Sequence, residues 1–366
     1  MCTRILYVDG QLNPLIYDPN APSPNVVTGR NMDWANSLKS EIWAFPANME
    51  RQGGTYEHSF TWTSKYGSVI TSALDACTTD GINTEGLVAN LLFLVESDYE
   101  RKPEQPKLTK KMSTAAWAQY FLDSFATVKE AVEAMKHDDL FEVDAPVIPD
   151  GSNKKSTVHL SISDATGDSA IFEYVGGKLQ IHYGKDYIVM TNSPTYDKQL
   201  AINEYWKNKD GMIVLPGTNN ASDRFARCSF YLSAVPRGHI NDARTAIATT
   251  FSIIRNASVP IGIADPEKPN LASTLWHTVS DHKNLVYYYA NTRSASVCWI
   301  DLKELNLADG SGVRKIDMLE EVNGSSEPEL IEKWELGGDL TEKFVPTEPF
   351  EFLPHPSSAS TLPGQV

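Results

Sequence analysis

Cysteine is scarce in this chain: there are four, and no two stand in the Cys-x-x-Cys spacing of a zinc or redox site. A structural metal is therefore not expected, and no cofactor is implied. Long apolar runs are missing too. None approaches the roughly 20 residues of a membrane span, and nothing ahead of Cys2 can serve as a signal peptide. Positive charge is in deficit, with 32 Lys and Arg against 47 Asp and Glu and a formal charge of -15. That balance repels phosphate backbones and anionic lipid, and no basic patch offsets it, so neither nucleic acid nor membrane is an expected partner.

What the chain does have is ordinary globular composition, 41% hydrophobic and 22% charged over 366 residues, enough to bury a sizeable core. We expect one large layered domain over residues 1–352. The stretch "LPHPSSASTLPGQV" cannot support packing, so residues 353–366 are expected to form a flexible tail.

Alternating and β-branched runs bounded by turn residues predict strands at 5–8, 25–34, 41–47, 68–74 and 87–95. Trp117, Phe121, Phe125, Val128, Val132 and Met135 then recur at helical spacing, and "TVKE" from Thr127 reads as a capping box, which predicts two helices broken near 124–127. Strands return at 157–162, 169–174, 180–182 and 187–191, helices follow at 196–206, 222–234 and 241–255, and strands close the pattern at 275–280, 285–290 and 296–302. Strand runs followed by helix runs, twice over, predict an α+β fold: a four-layer α/β/β/α sandwich of two antiparallel sheets.

Cys2 is the one cysteine placed to be unusual. If Met1 is trimmed, thiol and α-amine share one residue, and the amine, with a reference pKa of about 7.7–8.0, can take the thiol proton. No histidine is then required, and none of the eight stands in a stretch resembling a triad. A thiolate also needs nearby positive charge, and the amine an acceptor. Arg30 and Asp33 in "GRNMDW" offer both. Three apart, they point to opposite faces of a straight strand, so one shared pocket requires a bend or bulge there; alone, they also fit an exposed ion pair.

Five blocks in order, "CTR" (2–4), "TGRNMDW" (28–34), "DGINTEGL" (80–87), "TNSPTYDKQL" (191–200) and "LPGTNNASDRF" (215–225), resemble the choloylglycine hydrolase family of N-terminal-nucleophile amidases. The resemblance implies that Cys2 is the nucleophile and base, that Arg30 and Asp33 position thiol and amine, and that Asn192 donates to the oxyanion. It further implies that Arg224 places a charge beside the sulfur and that the backbone N–H of Phe93 is the second oxyanion donor. Bile salt hydrolases of Gram-positive bacteria carry Asn at the Phe93 position and penicillin V acylases Tyr or Trp, while "LVANLLFLVESDY" (87–99) resembles the Gram-negative branch.

An aromatic lining of Trp34, Phe93 and Tyr99 suits a flat acyl group. The implied substrate is a small linear amide, penicillin V first, with N-acyl homoserine lactones beside it and conjugated bile salts as the alternative. A homotetramer is implied as well. A rival of another class uses Cys2 as the lipid-attachment site of an anchored binding protein. The expected location is periplasmic if a leader has been removed, and cytoplasmic otherwise.

Overall fold

The computed structural model describes residues 2–9, 25–235, 242–265, 271–322, 329–333 and 335–354. Strand β1 (Cys2–Val8) pairs antiparallel with β2 (Val26–Asp33), placing Cys2 opposite Met32 and Val8 opposite Val26. Every residue of both strands is buried, because layers cover both faces of the sheet; polar and apolar positions therefore do not alternate along them. Among the described residues, this first sheet has the order Val189–Met190, β1, β2, Thr274–Asp281, Val286–Asn291, Cys298–Asp301, Gly338–Asp339. Only the last pairing is parallel.

The second sheet runs Lys178–Tyr183, Ser169–Val175, Val158–Ser163, Val88–Phe93, Cys77–Asn83, Ser68–Ala73, β3 (Ile42–Phe45), Arg314–Ile316, Val345–Pro346, antiparallel throughout. Polar side chains stitch the two sheets together. Arg4 Nη1 donates to Ser169 Oγ at 3.0 Å, and the hydroxyls of Thr28 and Ser163 meet at 2.8 Å.

Helices α1 (Thr114–Ser124) and α2 (Val128–Met135) lie outside the second sheet. Helices α4 (Ala221–Ala234) and α5 (Ala243–Arg255) cover the first, with α3 (Tyr196–Lys207) packed on α4. This is the expected four-layer sandwich. The helix break also falls where the capping signal put it: Thr127 Oγ1 accepts the Glu130 N–H at 3.2 Å, while the Glu130 carboxylate accepts from the Ala126 N–H at 2.9 Å.

Close packing of helix on strand explains two glycines in the motifs. A Cβ on Gly29 would lie 2.7 Å from Thr250 and 2.8 Å from Ile254, so α5 rests directly on the backbone of β2. A Cβ on Gly81 would lie 2.6 Å from Ile70 and 2.9 Å from Leu122 of α1. Sequence reasoning missed the strand Cys77–Asn83 because its Asp80-Gly81 pair is a turn signal; here the glycine serves helix approach instead.

The boundary at residue 353 needs correcting. Leu353 is buried, its N–H donates to the Ala76 carbonyl at 3.1 Å, and the Pro354 carbonyl accepts from Thr55, so these two residues belong to the packed body. Residues 355–366 lie outside the described residues.

Candidate active site

Cys2 heads a central strand, and its surroundings follow from the register of the neighbouring strands. The edge strand Val189–Met190 pairs Met190 with Arg4, so the chain leaving it brings Asn192 level with Cys2. The Cys2 N–H donates to Asn192 Oδ1 at 2.5 Å, joining residues 190 apart in sequence. Arg224, one turn into α4, donates through Nη2 to the same Oδ1 at 2.8 Å, through Nη1 to the Cys2 carbonyl and to Thr3 Oγ1, and through Nε to the Asn219 carbonyl at 3.0 Å. Asp33 Oδ2 lies 3.9 Å from Arg224 Nη1, and Asp33 Oδ1 accepts from Thr274 at 2.6 Å. All four side chains are buried.

Burial shapes the charges here. It raises the Asp33 carboxyl against the pull of Arg224, Thr274 and Arg30, and it lowers Arg224 against the pull of Asp33 and Cys2. Each partner therefore depends on the other to remain ionised in the interior.

Arg30 comes from the opposite face of β2. Its guanidinium lies 4.4 Å from the Trp276 ring centroid, and Nη2 donates to the Leu91 carbonyl at 3.0 Å. Among the described residues, its Nε and Nη1 have no hydrogen-bond partner. Met32 connects it to Cys2, with its sulfur 3.5 Å from Arg30 Nη2 and 3.9 Å from Cys2 Sγ. The irregularity expected in the Arg30–Asp33 stretch falls opposite Met32 and Asp33 but in the partner strand, as an extra residue between Thr274 and Trp276, while Val26–Met32 stays in register with β1. The two residues instead flank the strand head from either side, Asp33 toward α4 and Arg30 toward the second sheet.

The sulfur side opens into an apolar cavity. Its walls include Met32, Trp34, Leu38, Leu91, Phe93 and Ile148. Trp34 and Phe93 have ring centroids 5.4 Å apart, and Trp34 is fixed by a hydrogen bond from Nε1 to Asp150 Oδ2 at 2.6 Å. Cys77 also lines the cavity, but burial pushes its thiol up to about 12, so it stays protonated at neutral pH and is a poor nucleophile.

Phe93 also contributes its backbone. Leu94 N–H donates to Thr157 O at 3.0 Å, so by antiparallel alternation Phe93 turns its own N–H and C=O away from that neighbour. The Phe93 carbonyl accepts one Asn192 Nδ2 hydrogen at 2.6 Å, leaving a second hydrogen on that nitrogen.

Tyr99 does not line the cavity and is corrected. Its ring packs on Tyr174 with centroids 5.4 Å apart, while its hydroxyl donates to Val158 O at 2.7 Å and accepts from Val158 N at 2.8 Å. It finishes the end of a strand. Sequence reasoning also missed Asp150, which orients Trp34, and Gln199, whose Nε2 donates to the Asn192 and Ser193 carbonyls at 3.1 and 3.0 Å. Asp150 carries no local signal, and Gln199 stands in the 191–200 block without a role assigned to it. A lipid on Cys2 is hard to place, since the residue is 2% exposed and enters its strand without a tether.

Two facing sheets between helical layers, with a cysteine heading a central strand, define the class of N-terminal-nucleophile amide hydrolases. The chain belongs to the linear amide C–N hydrolases of the choloylglycine hydrolase family, whose model matches residues 19–322. It is similar to a penicillin V acylase of Pectobacterium atrosepticum, at 44% identity over 96% of this chain and 92% of that one. A solved penicillin V acylase structure from Agrobacterium tumefaciens superposes with a TM-score of 0.80 at 44% identity, covering 96% of this chain and 99% of the other. A bile salt hydrolase/transferase of Clostridium perfringens is 27% identical over 78% of this chain and 91% of its own.

Proposed function

We propose that this enzyme is a penicillin V acylase, cleaving the side-chain amide to release phenoxyacetate and 6-aminopenicillanate. One observation supports this most directly: Cys2 joins the Asn192–Arg224 hydrogen bonds to a cavity walled by Trp34 and Phe93. The reading requires Met1 to be removed.

The Cys2 amine takes the thiol proton and the sulfur attacks the acyl carbonyl, forming the C–S bond. Asn192 Nδ2 and the Phe93 N–H hold the oxyanion, with Arg224 and Asp33 keeping the chain end in place and Arg30 supplying positive charge on the far side. The C–N bond breaks, and the leaving amine takes a proton from the Cys2 ammonium. Water then attacks the thioester, returns a proton to the Cys2 unit and frees the carboxylate.

N-acyl homoserine lactones present a similar acyl amide and belong to the same reading. So does self-assembly as a homotetramer, for which the exposed Met212, Ile213 and Val214 between α3 and α4 offer apolar contact surface. Sedimentation at several concentrations would test that part. For the substrate, the protein should be assayed on penicillin V, penicillin G, glycocholate, taurocholate and acyl homoserine lactones of several lengths, with its N-terminus sequenced. Penicillin V should be cleaved and Cys2 should be the first residue. A strong preference for bile salts would move the assignment to that branch, and active protein that keeps Met1 would end the proposed mechanism.

A further inference from the structure

The loop carrying Asn192 is held at both ends by one buried pair of side chains. His159 and Glu173 lie on adjacent strands of the second sheet, with His159 Nδ1 2.8 Å from Glu173 Oε1. The other ring nitrogen, Nε2, lies 2.9 Å from the Thr191 carbonyl, the residue before Asn192. Glu173 Oε2 accepts the Tyr196 N–H at 2.9 Å, at the first residue of α3. Thr195, at the N-cap of that helix, makes no side-chain cap bond, so a carboxylate from a distant strand takes the role.

The geometry also places a hydrogen on the ring. A carbonyl oxygen only accepts, so Nε2 must carry hydrogen toward Thr191. Burial would raise the Glu173 carboxyl, but the hydrogen bonds with His159 and the Tyr196 N–H, together with the nearby His182 ring, outweigh it and hold it down to about 2. The other titratable groups around the pair are His182, 3.7 Å from Glu173 Oε2, Asp197, 3.7 Å from His182, and Tyr196, whose ring lies 4.9 Å from that of His182.

We propose that the hydrogen-bonded His159–Glu173 pair is a clamp that positions Asn192, fixing the loop at the Thr191 carbonyl and the Tyr196 N–H. Both are positioning residues, since neither touches Cys2 or the cavity. The inference rests on the amidase reading in so far as Asn192 serves the oxyanion.

The test is Glu173→Gln, which keeps shape and removes the charge. We expect kcat to fall by about 10²-fold with KM within about threefold, because a displaced donor harms the transition state more than substrate binding. In an Asn192→Ala background, adding Glu173→Gln should change kcat by less than about threefold, since the group being positioned is gone. Unchanged kcat in the single variant, or a full multiplicative loss in the double variant, would overturn the clamp. Should Glu173→Gln not fold, the wild-type protein still decides: long-range ¹H–¹⁵N spectra should show Nε2 of His159 protonated at neutral pH, and a bare Nε2 would refute the bond to the Thr191 carbonyl. Wild-type protein that turns over no amide would instead sink the amidase reading, leaving the spectral result to judge the pair by itself.

Discussion

On one side of Cys2 stand Asn192, Arg224, Thr3 and Asp33, tied to the chain end and to each other by hydrogen bonds and charge. On the other stand Met32, Leu91, Trp34 and Phe93, which form an apolar wall. Directional bonds specify one geometry, and losing any partner leaves a buried polar group unsatisfied. Apolar walls tolerate exchange among side chains of similar volume. In the proposed mechanism reaction type is therefore fixed on the first side while acyl preference can change on the second; the family contains relatives named for penicillin V and for bile salts.

The largest expected effect lies where the two sides meet. Cys2→Ala should abolish turnover and Cys2→Ser should leave little, because an alcohol is harder to ionise than a thiol; substantial hydrolysis by Cys2→Ala in a steady-state assay would dissolve the contrast altogether. Next comes the polar side. Asn192→Ala should lower kcat by about 10²–10³ with KM little altered, and a change confined to KM would place Asn192 among the binding residues instead.

The apolar side should respond in the opposite way. Phe93→Ala keeps the backbone N–H, so KM for an aryl acyl group should rise by roughly 10- to 100-fold, a loss of about 1.4–2.8 kcal/mol, while kcat stays within about threefold. A collapse of kcat in that variant would mean the ring also shapes the oxyanion site. The smallest effect on catalysis belongs to Tyr99→Phe. Kinetics should match wild type while denaturant unfolding shows a loss of about 1–3 kcal/mol, since the Val158 N–H is left without its acceptor. A shifted KM would return Tyr99 to the substrate site.

The layered architecture and the positions of Cys2, Arg30, Asn192 and Arg224 were legible because each sits in a block of distinctive local sequence. Their faces were harder to read. The Arg30–Asp33 spacing predicts a bend or bulge for one shared pocket; the irregularity lies in the partner strand opposite Met32 and Asp33, and the pair approaches the strand head from two sides. His159 was invisible for a different reason: hydropathy and turn patterns report local conformation, and this residue acts on a loop supplied by another part of the chain, whereas Gln199 bonds carbonyls only six and seven residues before it. Tyr99 and Leu353 failed as aromatic-lining and tail residues because composition does not say which surface a side chain meets.

The partners of Cys2 lie far along the polypeptide: Asn192 is 190 residues downstream and Arg224 is 222. A ribosome that has made the first half of the molecule has produced the sulfur but neither of these partners. In the proposed mechanism Cys2 therefore has neither partner beside it until synthesis is past its midpoint, and a prematurely terminated product of fewer than about 190 residues lacks both.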